Sequence, residues 1–235
     1  MILTVTANPA LDVTYRVDAF ATGEVNRVAT AASRAGGKGF NVARVLAALR
    51  RTQARGTDVL AIGPAGGPDG EILAADLAAA GIPHELVPIQ GHTRRTVNVV
   101  DAAGATMLNE LGPAVSAAEW AALRERVAFW LPRASVLVLS GSLPPGVPAD
   151  AYATLVADAR RHAVPAVVDA DGRTLTEALA SGPAVIKPNA GELAGVAGPG
   201  LRAGAARLRE HGAQAVVASD GPNGLYADTA QGRWT

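Results

Sequence analysis

Val136-Leu137-Val138-Leu139-Ser140-Gly141-Ser142-Leu143-Pro144-Pro145-Gly146 runs from four uninterrupted apolar residues into small polar ones and then into a proline-glycine turn. A short apolar run without polar alternation reads as a strand covered on both faces, which is the habit of parallel sheets. Working outward from this strand, Ser135–Ser140, similar runs recur at Ile2–Thr6, Val59–Gly63, Ala166–Asp169, Ala184–Lys187 and Ala215–Ser219. Between them, amphipathic patterns predict helices over Gly39–Arg51, Gly70–Ala80, Ala117–Leu131, Asp150–His162, Thr174–Ala180 and Arg202–His211. Val42, Val45, Leu46 and Leu49 form the apolar face of the first helix, and Ser116 with Glu119 makes a capping box ahead of the third. The alternation predicts an open, mostly parallel α/β sheet with helices on both faces and right-handed crossovers.

Two segments interrupt the alternation. Asp12–Ala32 alternates polar and apolar residues around the turn Ala21-Thr22-Gly23-Glu24, and Arg94–Asn109 reads as a hairpin of Thr96–Asp101 and Ala105–Asn109. Inserted strands of this kind predict a small side sheet, a β-strand lid over the C-terminal edge of the main sheet, within one α/β unit spanning residues 1–235.

The composition narrows the function classes. Lysine plus arginine and aspartate plus glutamate are 21 each, so no bulk field attracts nucleic acid or anionic lipid, and any anion site must be local. With no cysteine, disulfides, thiolate metal sites and cysteine nucleophiles are excluded, and the four histidines show no metal-ligand spacing. No apolar run approaches a membrane span, and the first residues read as a strand rather than a leader, so a cytoplasmic location is expected.

Ala35-Gly36-Gly37-Lys38-Gly39-Phe40-Asn41 precedes the first helix. Bare glycines beside a helix N-terminus let an anion approach free backbone N–H groups, while Lys38 adds a mobile charge and Asn41 a donor and acceptor. A plain tight turn would use the same glycines, and they match neither G-x-G-x-x-G nor a P-loop. In parallel sheets, ligands sit beyond the carboxyl ends of the strands, and here those ends are polar: Asn8-Pro9-Ala10-Leu11-Asp12, Ser140-Gly141-Ser142, Asp169-Ala170-Asp171-Gly172, Lys187-Pro188-Asn189 and Ser219-Asp220-Gly221. Asn189 and Glu192, three apart at a helix start, suit a water-retaining Mg²⁺; an Asn cap closed by a Glu explains the spacing equally, and both can hold at once. Lys187 could neutralise phosphate charge. Arg94 and Arg95 face opposite ways on a strand, so at most one enters the cleft.

In order and spacing, these motifs together resemble the ribokinase-like (PfkB) carbohydrate kinases, in particular the 1-phosphofructokinase and tagatose-6-phosphate kinase branch, and the resemblance spans the whole chain. It implies a ribokinase-like fold and ATP-dependent phosphorylation of a hexose phosphate, with fructose 1-phosphate going to fructose 1,6-bisphosphate. Asp12, Gly36, Gly37, Lys38, Asn41, Arg94 and Ser140 would bind the sugar phosphate, and Lys187, Asn189, Glu192, Ser219 and Gly221 the ATP. Mg²⁺ would be held through water by Asn189 and Glu192. The resemblance also implies a homodimer joined through the lid. Lys38, Arg94 and Asn189 are therefore expected around a common cavity.

Three departures stand out. The family's Thr-Arg-Thr-Asn-Val-Lys appears as Thr93-Arg94-Arg95-Thr96-Val97-Asn98, without the lysine, and its Asp-Thr-Ser-Gly as Asp169-Ala170-Asp171-Gly172, with an added carboxylate. Its Gly-Ala-Gly-Asp signature, which carries the catalytic base and anion hole, does not occur within residues 1–235. No catalytic residue is therefore assigned in this stretch, and the expected base lies beyond Thr235. The polypeptide as written is expected to be a poor kinase; the alternative is a phosphosugar-binding or regulatory protein without turnover.

Overall fold

The computed structural model describes residues 1–52 and 57–235. Its first half runs β1 (Ile2–Val5), β2 (Ala10–Arg16), β3 (Thr30–Gly36), α1 (Lys38–Thr52), β4 (Val59–Ala65), α2 (Gly67–Ala79), β5 (His84–Pro88), β6 (Arg94–Asp101), β7 (Gly104–Asn109) and α3 (Ala117–Trp130). Next come β8 (Val136–Ser140), α4 (Ala151–Arg161), β9 (Ala166–Asp169), α5 (Gly172–Leu179), β10 (Val185–Ile186), α6 (Ala190–Ala197), α7 (Leu201–Glu210), β11 (Val216–Ser219), β12 (Leu225–Thr229) and β13 (Gly232–Trp234).

The described strands form two sheets. The larger has the order β13-β12-β11-β10-β9-β8-β1-β4-β5, and the smaller β3-β2-β6-β7. From β5 to β11 every pairing in the large sheet is parallel, and β12 and β13 add an antiparallel edge. This is the expected ribokinase-like arrangement of a mostly parallel sheet between helices.

The uninterrupted apolar strands follow from cover on both faces. Along β4, Val59 and Ala61 join the core beneath α1 and α2 with Phe40, Leu73 and Leu77. Their neighbours Leu60 and Ile62 enter the opposite core with Leu123, Val127, Leu137 and Leu155. Successive side chains point to opposite faces, so a polar residue on either would be stranded in one core or the other. A fully buried leucine such as Leu73 is worth roughly 1.5–3 kcal/mol in burial alone.

The apolar face expected for α1 packs only in part: Leu46 rests on the core and Val42 is half-buried, but the other two residues of that face turn outward. Val45 and Leu49 are 59% and 43% exposed, while Phe40, Ala43 and Ala47 are buried. Gly39 explains the rotation: a Cβ there would lie 2.8 Å from the Val5 carbonyl oxygen, so the helix starts hard against β1. At that spacing alanines fit beneath the helix and the larger Val45 and Leu49 are turned outward. Strand β5, with a terminal proline, and helix α6, with two glycines in eight residues, were not signalled by periodicity; both form through packing at their neighbours.

In the small sheet β2 pairs with β3 antiparallel and with β6 parallel, and β6 with β7 antiparallel. Strand β2 begins two residues before the sequence-based boundary at Asp12, and β3 continues past Ala32 to Gly36. That extension carries β3 straight into the glycine loop and α1.

Candidate active site

The polar ends of β1, β8 and β9, the glycine loop and the inner face of the small sheet enclose a cavity of about 660 Å³. Asp12, Gly37, Lys38, Asn41 and Arg94 line it, together with Arg34, Ser142 and Asp171. The glycine loop is shaped by contact. A Cβ at Gly36 would fall 2.2 Å from the Asp12 carboxylate, so only glycine lets β3 run beside that side chain. Asp12 is raised above its ordinary carboxyl pKa because burial outweighs the charges of Arg34 and Arg94 and the hydrogen bond with Thr96.

Arg94 and Arg95 separate as strand alternation requires. Arg94 lines the cavity, with Nε donating to the Asn8 carbonyl at 3.2 Å and Nη1 to the Glu110 carbonyl at 2.8 Å. Both acceptors are neutral, so its charge is left for the cavity. Burial pulls its pKa below the ordinary guanidinium value, and Asp12 and Glu110 partly restore it. Arg95 lies on the other face and grips Asp69 through two bonds of 2.7 and 2.8 Å. Asn8 is buried and holds the chain after β7 to the loop after β8, donating to the Leu111 carbonyl at 2.9 Å and Ser142 Oγ at 3.3 Å.

At the other end, Lys38 reaches across the cavity mouth. Its Nζ donates to Asp169 Oδ1 at 2.8 Å and lies 3.4 Å from Glu192 Oε1, while Lys187 Nζ is 3.0 Å from Asp169 Oδ2. Burial acts to lower the Lys38 pKa, but its bonds and charges with Asp169 and Glu192 leave it raised. The Asn189 and Glu192 capping box is formed: Glu192 N donates to Asn189 Oδ1 and Asn189 N to Glu192 Oε2, both at 2.8 Å. Glu192 therefore caps α6 with one oxygen and meets Lys38 with the other. A bridge between Asn189 and Ser219 prolongs the sheet at this rim.

The twelve proposed binding residues therefore divide. Asp12, Gly37, Lys38, Asn41 and Arg94 share the cavity, with Gly36 packed behind Asp12. Ser140 is 2% exposed and does not line it; Ser142, two residues on, does. Lys187, Asn189 and Glu192 form the adjoining rim, with Ser219 bridged to Asn189 and Gly221 in the turn that follows. Lys38 and Arg94 thus share a cavity, whereas Asn189 does not line it and is joined to Lys38 through Glu192. Arg34, Asn8 and Asp169 as the clasp of two lysines went unselected in the sequence. Tyr152 supports this region from below, its buried hydroxyl donating to the Gly141 carbonyl at 3.1 Å, and burial pushes its pKa up.

Among the described residues no three His, Asp or Glu side chains gather as a metal site, and no helix is long and apolar enough to cross a membrane. Asn189 Oδ1 is taken by Glu192 N, and the Glu192 oxygens by Asn189 N and Lys38, so these residues suit a magnesium ion only if it were held through its own waters.

The sequence model of the pfkB family carbohydrate kinases matches residues 5–234. Among solved structures, Escherichia coli phosphofructokinase-2 in complex with fructose-6-phosphate is 32% identical, with a TM-score of 0.91 over 100% of this chain and 78% of that one. The tetrameric inhibited form of the same enzyme gives a TM-score of 0.90 over 99% and 78% of the two chains, also at 32% identity. A Thermotoga maritima protein described as a possible 1-phosphofructokinase is 28% identical, with a TM-score of 0.87 over 100% and 76%.

Proposed function

This chain belongs to the pfkB family of carbohydrate kinases, phosphotransferases that act on an alcohol group, and from that membership we propose that its cavity takes a hexose phosphate and its rim the phosphates of ATP. Fructose 1-phosphate, giving fructose 1,6-bisphosphate, is the substrate we assign, and the cytoplasm is the location we assign. One observation supports a hexose phosphate in this cavity: Asp12, Lys38, Asn41 and Arg94 converge on it at the carboxyl edge of a parallel sheet, whereas fructose 1-phosphate in particular rests on the resemblance alone.

Each residue has a task that its surroundings permit. Arg94, whose donors are only partly spent on carbonyls, holds the phosphate already on the sugar. Asp12 and Asn41 accept and donate to sugar hydroxyls, and Gly36 and Gly37 let the sugar reach the start of α1. Lys38 stands where sugar and nucleotide meet, and Lys187 extends positive charge along the rim. Phosphoryl transfer is chiefly positioning and charge stabilisation, which this division supplies. Mg²⁺, when bound with ATP through water at Asn189 and Glu192, would neutralise phosphate charge. The small sheet acts as a lid that keeps water from the transfer. Its edge strand β3 is exposed from Thr30 to Arg34 and carries small side chains from Thr30 to Ser33, which suits pairing of two copies.

Residues 1–235 contain no Gly-Ala-Gly-Asp sequence. Assayed as this polypeptide alone, turnover is expected to be lower by about 10²- to 10⁴-fold than with a general base in place. The test is calorimetry with fructose 1-phosphate, tagatose 6-phosphate and fructose 6-phosphate, run beside an ATP turnover assay. Tight binding of one hexose phosphate supports the assignment. Binding with no turnover detectable even at that lowered rate would favour a phosphosugar sensor, and failure of all three to bind would overturn the assignment.

A further inference from the structure

Register decides which side chains of the small sheet look into the cavity. Asp12 on β2 is paired with Arg34 on β3 and with Thr96 on β6, so the three share one face, and all three line the cavity. Arg94, two residues before Thr96, lies on the same face. Two guanidiniums therefore occupy the strands on either side of a single carboxylate.

The cations around this site differ in how they are matched. Lys38 has Asp169 and Glu192, and Arg95 has Asp69. Arg94 donates to two carbonyls. Arg34 makes no hydrogen bond or ion pair among the described residues, and its five N–H donors remain unspent. It acts on Asp12 only through space. On the inner face of the small sheet Arg34 and Arg94 thus flank one carboxylate, Asp12, while Glu110 and Asp171 line the same cavity from outside these strands.

Resting on the assignment of this cavity to a phosphosugar, we propose that Arg34 is a second anchor for the phosphate already on the sugar, closing from β3 while Arg94 holds it from β6, and that it sets the preference for a hexose phosphate over a free hexose. A phosphate dianion offers three terminal oxygens and can accept from two guanidinium forks at once. Asp12, on the strand between, stays available to the hydroxyls. The position also answers a departure in the small sheet, where Asn98 stands in place of a lysine. Arg34 supplies the missing positive charge from the edge strand on the far side of β2.

The experiment is titration calorimetry on wild type, Arg34→Ala, Arg34→Lys and Arg94→Ala. The probes are fructose, ATP and whichever of fructose 1-phosphate and fructose 6-phosphate the wild type binds more tightly. Arg34→Ala is expected to weaken the hexose phosphate by about tenfold or more, with fructose and ATP changed by less than about twofold. Its binding should also depend less steeply on salt than the wild type's. Arg34→Lys should recover only part of the loss, because an ammonium cannot fork. If Arg34→Ala binds the hexose phosphate like wild type while Arg94→Ala does not, the second anchor is refuted and the cavity assignment stands. If wild type binds the phosphorylated sugars no better than fructose, the cavity assignment itself fails and the anchor with it.

Discussion

Replacing Asp169 by asparagine removes the charge that clasps two lysines of the site. The carboxylate is 11% exposed and meets Lys38 at 2.8 Å and Lys187 at 3.0 Å, while the two lysines are 47% and 43% exposed. At such separations a unit-charge pair is worth about 1.5 kcal/mol in bulk water and roughly four times that at an effective dielectric near 20. The half-exposed lysines place each pair toward the weak end, where measured exposed pairs give about 0.2–1 kcal/mol. The shielded carboxylate moves both to the top of that range, or about 2 kcal/mol together. Glu192, 3.4 Å from Lys38, recovers part of it.

Asp169→Asn should therefore lower the unfolding free energy by about 1–2 kcal/mol in urea titrations near neutral pH, with an unchanged slope and a smaller loss in concentrated salt. Lys38 adds a signature in pH. Its raised folded-state value contributes stability that is complete below the unfolded value and is lost as pH rises through the folded one. The wild type should lose that increment above about pH 10.5, and Asp169→Asn should show less of this alkaline loss. Because the clasp orients lysines on both sides, affinities for the hexose phosphate and for ATP should both fall. An unchanged urea midpoint, alkaline limb and pair of affinities would refute the coupling of cavity to rim.

Three further outcomes are expected. Arg94→Ala should weaken hexose phosphate binding by about tenfold or more, whereas Arg95→Ala, on the outer face against Asp69, should leave it within about twofold in the same titration. Gly36→Ala places a methyl carbon 2.2 Å from the Asp12 carboxylate, so it should weaken sugar binding sharply while circular dichroism shows the sheet intact. Asp158 and Asp228, 4% and 1% exposed, are pushed up by burial but held below their ordinary pKa by Arg124 with Arg161 and by Arg209 with Arg233. A lowered folded value gives stability that is present above the unfolded value and lost as pH falls through the folded one. Acid titration should therefore destabilise the wild type below about pH 4, and the Asp158→Asn and Asp228→Asn variants should start less stable and lose less.

Most of the candidate site could be found in the sequence because polar residues at the ends of apolar strands have few structural uses. Asp12, Lys38 and Asn41 belong to such ends or to the glycine loop and Arg94 to the lid hairpin, and they meet at one cavity. Arg34 could not be found that way. It lies among small residues in Ala31-Ala32-Ser33-Arg34-Ala35, and only its register against Asp12 turns it inward. Asp169 was visible as a polar strand end, but its hold on two lysines depends on chain segments 131 and 18 residues away. Ser140 shows the reverse case: the motif drew attention to it, and a shift of two residues along the turn gives the cavity to Ser142 instead.

Local pattern settled the layered architecture, since an apolar run has to be covered on both faces and a capping box such as Ser116 with Glu119 closes within four residues. It also settled which way Arg94 and Arg95 diverge, because alternation along a strand is a property of the backbone alone. The packed molecule settled the rotation of α1, where the approach of Gly39 to β1 overrode the apolar face of Val45 and Leu49. It likewise settled the linkage of Lys38 to the rim and the inward turn of Arg34. These depend on distances between segments far apart in the chain, and such distances exist only once the sheets have closed on their helices.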